Sequence, residues 1–284
     1  MSLLLSQLTA FGMTISLIWE KIAIPDTKET THHCDAEQFY LAIPGTARFL
    51  VLPKENCIII ERSQAETSIH VLNNWLKGTV MAYILQYHGY LVLHGSAVLI
   101  KDSAVIFSGQ SGAGKSTLAN AFLQKRYPCI TDDLVVLKQN AKGQYCIIPG
   151  PTQLKLWRDT MHYFNHDIDK ATPIVLRTDK YAVEMSQICD DAMIPVIGFY
   201  ELNIAELAET FYCERLYSAR ALKILMQNAY RYFMLKPLDK LQAFFYDCTA
   251  LSQQITVHKL IRTSDFHELP TIVRYIENNQ GVVS

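Results

Sequence analysis

Residues 109–117 read GQSGAGKST, which matches the pattern G-x-x-x-x-G-K-S/T at every fixed position. Glycines in such a loop let successive backbone N–H groups turn toward an anionic phosphate chain without side-chain clashes. The lysine of the pattern reaches the β- and γ-phosphates of a nucleotide, and the hydroxyl that follows it completes the shell of a Mg²⁺ ion. The stretch therefore predicts a bound nucleoside triphosphate with Mg²⁺, and ATP is the nucleotide expected for a kinase. The predicted nucleotide-binding residues are Gly109, Gln110, Ser111, Gly112, Ala113, Gly114, Lys115, Ser116 and Thr117.

The flanks of this loop have the composition that the pattern requires. Residues 103–108 (SAVIFS) predict a strand that enters the loop, and residues 117–125 (TLANAFLQK) predict a helix that leaves it. A bound phosphate would then lie at a helix N-terminus, where the helix dipole supplies partial positive charge. A glycine loop without a ligand is the alternative, and it accounts less well for the full match. Lys115 is expected to be largely solvent-facing while no nucleotide is bound.

Two adjacent carboxylates, Asp132 and Asp133, follow the predicted helix and precede the strand-like residues 134–137 (LVVL). A Mg²⁺ ion shared with Ser116 and the phosphates would neutralise them. Neighbouring side chains on an extended backbone point to opposite faces, so we expect different roles. One acid would bind the metal, and the other would take the proton of an acceptor hydroxyl. An Asx-turn at the entry to the strand is the structural alternative.

A histidine interrupts the apolar strand predicted over residues 90–100, which precedes the loop strand. His94 lies in the middle of that run, and residues 101–103 predict the hairpin turn between the two strands. A histidine within a strand is structural more often than catalytic. The hairpin, however, would bring this one close to the phosphates.

Residues 91–137, from LVLHGSAV through GQSGAGKST to TDDLVVL, resemble the core of HPr kinase/phosphorylase and its shorter relatives. Those relatives include HPr-kinase-like enzymes that phosphorylate serine on ribosomal precursor peptides, lasso peptides among them. The histidine, the glycine loop and the Asp pair occur in the order and spacing of that family. The resemblance implies an α/β fold with the P-loop kinase core of the HPr kinase and phosphoenolpyruvate carboxykinase type.

The same resemblance implies functional residues and a substrate class. The catalytic set would be His94, Lys115, Asp132 and Asp133, with Ser116 and Asp132 at the metal and Asp133 favoured as the base. The substrate would be a serine hydroxyl of a peptide or small protein. Two other functions stay open: a nucleotide-binding regulatory module without transfer chemistry, and a kinase of a small-metabolite hydroxyl.

The chain departs from the bifunctional family pattern at two places. Residues 145–157 (YCIIPGPTQLKLW) contain no carboxylate where that family carries a Glu-Ile-Arg-Gly-type metal signature. The Pro-Gly-Arg-Asn segment tied to phosphate-dependent dephosphorylation is also not recognisable. A dedicated kinase is therefore expected, rather than a kinase that also removes the phosphate.

The composition limits the partners and the compartment. The 284 residues carry a net charge of −1 with both signs well mixed, so there is no electrostatic case for a nucleic-acid partner. Seven cysteines without a C-x-x-C pair indicate reduced thiols in a cytoplasm. Residues 1–19 are uncharged but lack a basic n-region, and their alternation predicts a strand rather than a membrane anchor. A homo-oligomer is left open.

The chain divides by pattern into a small β-rich N-terminal region, 1–64, and a catalytic domain, 65–284. His32, His33 and Cys34 are interpreted as part of a solvated loop. Helices are predicted over 66–87, 216–234, 238–252 and 268–278, and further strands over 48–52, 57–61, 146–148, 181–183, 196–201 and 255–260. Secondary site candidates are Lys155, Arg158, His162, His166, Arg177, Lys180, Tyr230, Arg231 and Tyr232.

Overall fold

The computed structural model describes residues 7–23, 28–64, 67–150, 153–174, 179–184, 193–205 and 210–281. The chain forms two compact units, the first from residues 1–90 and 231–244 and the second from residues 91–230 and 245–284. The chain contains three β-sheets together with several helices, which confirms the α/β class. The units divide after Tyr90, whereas the sequence pattern divides the chain after residue 64.

The first unit contains a six-stranded sheet in the order β1-β2-β6-β5-β4-β3. Strand β3 includes His32, His33 and Cys34 and pairs antiparallel with β4, so the predicted solvated loop is wrong. Pairing with β4 satisfies backbone groups that a loop would leave to water. The strands are β1 (Gln7–Ala10), β2 (Met13–Trp19), β3 (Thr31–Cys34), β4 (Phe39–Ile43), β5 (Ala47–Leu52) and β6 (Cys57–Arg62).

A helical segment completes the first unit and explains why this unit extends beyond residue 64. It consists of α1 (Ile69–Trp75), a π-helical turn (Leu76–Val80) and α2 (Met81–Tyr87). The Tyr83 ring stacks on Phe39 at 5.1 Å between centroids, and its hydroxyl donates to the carbonyl oxygen of Asp35 at 2.9 Å. These contacts join the segment to the N-terminal sheet.

The second unit is built on a seven-stranded sheet in the order β10-β9-β7-β8-β14-β16-β15, with β11, β13 and β12 in a smaller sheet. Strands β8, β14 and β16 are parallel, so their carboxyl ends lie at one edge. The strands are β7 (Leu91–Ile100), β8 (Ser103–Gly109), β9 (Cys129–Gln139), β10 (Tyr145–Ile148), β11 (Gln153–Trp157), β12 (Thr172–Pro173), β13 (Lys180–Glu184), β14 (Ile194–Ile204), β15 (Tyr212–Leu216) and β16 (Thr256–Arg262).

The core of the second unit lies between its large sheet and two helices. Phe107 of β8 stacks on Phe122 at 5.3 Å between ring centroids, and Ile272 and Ile276 are fully buried in the same cluster. Burial of these side chains holds α3, which follows the glycine loop, against the sheet. The remaining helices are α3 (Lys115–Gln124), α4 (Arg158–Tyr163), α5 (Ser218–Gln227), α6 (Leu241–Gln254) and α7 (Leu269–Asn279).

The helix predicted over 216–234 ends at Gln227, earlier than its pattern indicates. The backbone then runs beside β7: the His94 N–H donates to the Asn228 carbonyl at 2.8 Å, and the Tyr230 N–H donates to Val92 at 3.0 Å. Pairing with a distant strand replaces the helical hydrogen bonds at this point. The segment Asn228–Tyr230 consequently lies next to the histidine that the sequence singles out.

Across the described parts of the chain, no helix combines the length and the apolar character needed to span a lipid bilayer.

Candidate functional site

The glycine loop connects the end of β8 at Gly109 to the first residue of α3, Lys115. Gly109, Gly112 and Gly114 have φ values of 131°, 90° and 94°, which residues other than glycine rarely adopt. A Cβ atom at Gly109 would also collide with the carbonyl oxygen of Leu202. The glycines of the pattern are therefore required by the backbone path of the loop.

Lys115 is buried, at 8% exposure, so the expectation that it faces solvent is wrong. Its ammonium donates to the carbonyl oxygens of Gly109 at 2.9 Å and Gln110 at 3.0 Å. Burial lowers the pKa of Lys115, and the nearby Asp132 carboxylate opposes that shift. The lysine folds back onto its own loop because the loop carbonyls are the acceptors closest to it. A nucleotide phosphate would compete with those carbonyls for the ammonium.

Asp132 accepts hydrogen bonds from three elements of the second unit. Ser116 Oγ lies 2.9 Å from Oδ1, Ser96 Oγ lies 2.5 Å from Oδ1, and the Lys155 backbone N–H lies 2.8 Å from Oδ2. The predicted metal pair, Ser116 and Asp132, is therefore in direct contact. Ser96 is not among the predicted site residues, since serine within a strand carries no distinctive signal.

The chemistry of this pair fits Mg²⁺. Hydroxyl and carboxylate oxygens are hard donors, and Mg²⁺ is usually held by one or two carboxylates together with substrate phosphates and waters. Among the residues that the structure describes, no group of three or more His, Cys, Asp or Glu side chains is arranged to hold a metal. A metal at Asp132 would take the rest of its shell from nucleotide oxygens and waters.

Asp133 contacts different partners from its neighbour. Lys155 Nζ lies 2.8 Å from Oδ2, and His94 Nδ1 lies 3.3 Å from Oδ1 and 3.1 Å from the Asp133 carbonyl oxygen. Burial raises the pKa of Asp133, but the Lys155 ammonium and His94 outweigh it and hold the pKa well below its usual range. The carboxylate is therefore ionised at neutral pH. Lys155, a secondary candidate from the sequence, belongs to this cluster.

The two acids diverge by a different route from the one predicted. Asp133 has a φ of 79°, in the left-handed region, so the backbone at the pair is not a regular strand. Asp is one of the few residue types that adopt this conformation at moderate cost. Because of this backbone conformation, the Asp132 carboxylate points toward Ser116 and the Asp133 carboxylate points toward His94 and Lys155.

Asn228 links the loop to the histidine and is not among the residues predicted from the sequence. Its Oδ1 accepts from Ser108 Oγ at 2.7 Å and from the Gly109 N–H at 3.2 Å, while its Nδ2 donates to the Ile224 carbonyl at 2.8 Å and to Glu201 Oε1 at 3.3 Å. The same Ser108 hydroxyl lies within hydrogen-bond distance of the His94 carbonyl oxygen, so these two acceptors share its single proton. An asparagine inside a predicted helix has low helix propensity, and that was the available signal.

Several of the other secondary candidates have structural partners. Arg158 donates to the Tyr181 hydroxyl at 2.7 Å, and His166 contacts Asn120 Oδ1 at 3.0 Å. The Tyr230 ring lies 5.7 Å from His94 between centroids, beside the cluster. Arg177 lies outside the described residues. The remaining candidates are His162 at the end of α4, Lys180 over the Trp157 ring, and Arg231 and Tyr232 in the first unit.

We expect Gly95→Ala to destabilise the protein by about 1–3 kcal/mol, the usual cost of overpacking. A Cβ atom at Gly95 would lie 2.6 Å from the Phe107 carbonyl oxygen, which belongs to the paired strand and cannot rotate away. Urea unfolding measures the loss. Gly198→Ala is the matched control, because its nearest neighbour is the flexible end of Gln280 at 3.1 Å. Equal stability losses in the two variants would contradict this account of the strand pair.

No family model matches the chain, and no curated protein matches its sequence. Among solved structures, the chain is similar to the Hpr(Ser) kinase/phosphatase from Coxiella burnetii, with a TM-score of 0.33 and 14% sequence identity. That match covers 67% of this chain and 96% of the other.

Proposed function

We propose that the protein is an ATP-dependent kinase that transfers the γ-phosphate of ATP to a serine hydroxyl of a peptide or small protein. One observation carries the proposal. The glycine loop with Lys115 adjoins Ser116 and Asp132, a hydroxyl and a carboxylate that suit a metal ion. It also adjoins a second carboxylate, Asp133, which is paired with a different residue, Lys155. Binding a nucleotide needs the loop and its lysine. A second, half-buried carboxylate that is held by its own cation, Lys155, can in addition orient an acceptor hydroxyl and take its proton.

Ser116 and Asp132 would hold Mg²⁺, which supplies charge neutralisation at the β- and γ-phosphate oxygens when bound. Lys115 would exchange its loop carbonyl acceptors for phosphate oxygens, because a charge-assisted bond to phosphate is stronger than a bond to a neutral carbonyl. These residues bring the phosphate chain into position and stabilise the charge that develops on it.

Asp133 would accept a hydrogen bond from the incoming hydroxyl and take its proton as the new P–O bond forms. Its lowered pKa makes it a weak base, but the transition state of phosphoryl transfer is loose, so a positioned proton acceptor suffices without high basicity. The γ-phosphoryl group passes to the hydroxyl oxygen, and ADP leaves with the bridging electron pair. His94 acts as a positioning residue, since its ring contacts Asp133 and its backbone is held by Asn228.

The serine acceptor and the peptide context rest on the sequence resemblance of residues 91–137 to HPr-kinase-like enzymes. The P-loop kinase fold of the HPr kinase and phosphoenolpyruvate carboxykinase type is part of the same proposal. Within that group, a ribosomal precursor peptide of the lasso type is the substrate that we favour. Neighbouring genes for a precursor peptide, a cyclase and a protease would support this choice.

Mass spectrometry of serine-containing precursor peptides incubated with the protein, ATP and Mg²⁺ tests the function. We expect one added phosphate on serine, and none on a matched peptide in which that serine is alanine. Nucleotide binding without transfer to any peptide or metabolite would favour a regulatory module. Transfer to a small metabolite alone would move the acceptor to the metabolite class.

We expect Asp132→Asn to weaken Mg·ATP binding by about 10-fold, the equivalent of about 1.4 kcal/mol. The amide keeps the shape of the side chain but loses the negative charge that a metal ligand needs. Calorimetric titrations with ATP in Mg²⁺ and in EDTA separate the metal-dependent part of the affinity. Asp102→Asn, at an exposed turn, is the control. An equal loss of affinity in EDTA would contradict the assignment of Asp132 as a metal ligand.

A further inference from the structure

Arg262 lies at the edge of the sheet where the glycine loop begins. In the parallel strands β8, β14 and β16, Gly109 is paired with Leu202, and Leu202 is paired with Leu260. Arg262 is two residues beyond Leu260 and is the last residue of β16. Ligands of open α/β sheets bind outside the carboxyl ends of parallel strands, which is the edge that Arg262 occupies.

The guanidinium of Arg262 lies against the last glycine of the loop. An ideal Cβ atom at Gly114 would be 2.5 Å from Nη2, 3.2 Å from Cζ and 3.3 Å from Nε of Arg262. The guanidinium thus occupies the space into which a side chain at Gly114 would project. Gly114 precedes Lys115 directly, so the cation borders the turn from the loop into α3.

This arginine is buried with its hydrogen-bonding capacity only partly used. It is 3% exposed, and Nη1 donates to the Thr263 carbonyl at 3.1 Å. Its Nε is buried and has no hydrogen-bond partner within the described residues. Burial lowers the pKa of Arg262, and Glu268 opposes that shift. A buried cation with an unsatisfied N–H is costly unless an anion meets it.

We propose that Arg262 is a second cationic ligand of the nucleotide, contacting the phosphates cradled by the loop at Gly114. The inference rests on the proposed nucleotide site and adds a residue from the far end of the chain to it. In loops of this pattern the backbone N–H groups cradle the α- and β-phosphates, while the lysine reaches the β- and γ-phosphates. Arg262 borders the loop backbone that cradles the α- and β-phosphates. Because ADP and ATP both carry these phosphates, Arg262 contributes to the binding of both nucleotides.

Isothermal titration of wild type and Arg262→Met with ADP and with ATP, in Mg²⁺ at two salt concentrations, tests this role. We expect Arg262→Met to weaken both nucleotides by about 10-fold or more and to reduce the salt dependence of binding, since a charge-assisted contact is lost. Arg220→Met is the matched control, because Arg220 is an exposed arginine paired with Glu214 at 2.6 Å. Its affinities should equal those of the wild type.

The outcomes separate the inference from the function on which it rests. If wild type binds nucleotide and Arg262→Met binds it within twofold, at unchanged salt dependence, Arg262 is not a ligand. A lower melting temperature of the unliganded variant with unchanged affinity would assign Arg262 a structural role instead. If wild type binds neither nucleotide, the proposed function and the inference both fail. Should Arg262→Met not fold, Arg262→Gln takes its place in every comparison.

Discussion

Lys115→Ala is expected to abolish ATP turnover, with a loss of at least about 10²–10³-fold, the cost of removing one preorganised donor from a charged transition state. Nothing else in the loop carries a side-chain positive charge, because the remaining residues of 109–117 are glycine, alanine, glutamine, serine or threonine. The ammonium already lies among the loop carbonyls at 2.9 and 3.0 Å. Its loss removes the cation that would meet the β- and γ-phosphates. Phosphate release from ATP and transfer to peptide both measure the effect.

The structure adds a stability component to this prediction. Lys115 is buried and makes two hydrogen bonds within the loop, so Lys115→Ala also loses folded-state contacts, each worth about 0.5–1.5 kcal/mol. Circular dichroism melting should show a cooperative, modestly lowered transition. Lys142→Ala, at an exposed turn, is the control. Wild-type turnover in Lys115→Ala at saturating ATP would mean that this loop is not the phosphate site.

Asp133→Asn is expected to retain Mg·ATP binding but to lose about 10²–10⁴-fold in phosphoryl transfer, the range for loss of a positioned proton acceptor. The amide keeps the side-chain shape and removes the charge. Asp132, which contacts Ser116, is untouched, so the metal-type pair persists. Single-turnover transfer and ATP titration, measured in parallel, separate the two effects. If Asp132→Asn loses transfer and Asp133→Asn loses metal-dependent binding, the roles of the two acids are reversed.

A pH dependence of stability provides a second test of the environment of Asp133. Its folded-state pKa is lowered, so its ionisation stabilises the folded state above the unfolded-state pKa of about 3.9. That stabilisation is lost as the pH falls toward the folded-state value. Asp133→Asn should therefore cost more stability at pH 7 than at pH 3. In Asp133→Asn the Lys155 ammonium also loses its ion-pair partner, and adding Lys155→Met should recover part of the loss at pH 7.

The parts of the fold that the sequence predicts well depend on local interactions. Strand β8 and helix α3 flank the loop as expected, because the β-rich run and the helix-forming run each act over a few residues. The hairpin of β7 and β8 follows for the same reason: its turn joins strands adjacent in the chain. The predicted helices over 238–252 and 268–278 correspond to α6 and α7, with ends within three residues.

The failures occur where distant residues meet. The predicted helix over 216–234 ends early because the Asn228–Tyr230 backbone pairs with β7, more than a hundred residues earlier. His32, His33 and Cys34 form a strand because β4 lies beside them. Lys115 is buried by the path of its own loop, which the pattern does not describe.

By itself, the sequence determined that this protein carries a glycine-lysine loop between a strand and a helix, followed by an Asp pair. These features lie close together along the chain, so their order and spacing are read directly from the sequence. Only the tertiary structure decided which acid contacts Ser116, which contacts Lys155 and His94, and that Asn228 and Arg262 adjoin the loop. Ser108 and Asn228 are 120 positions apart in the chain. Contacts across such separations depend on the packing of the whole second unit, so no local pattern specifies them.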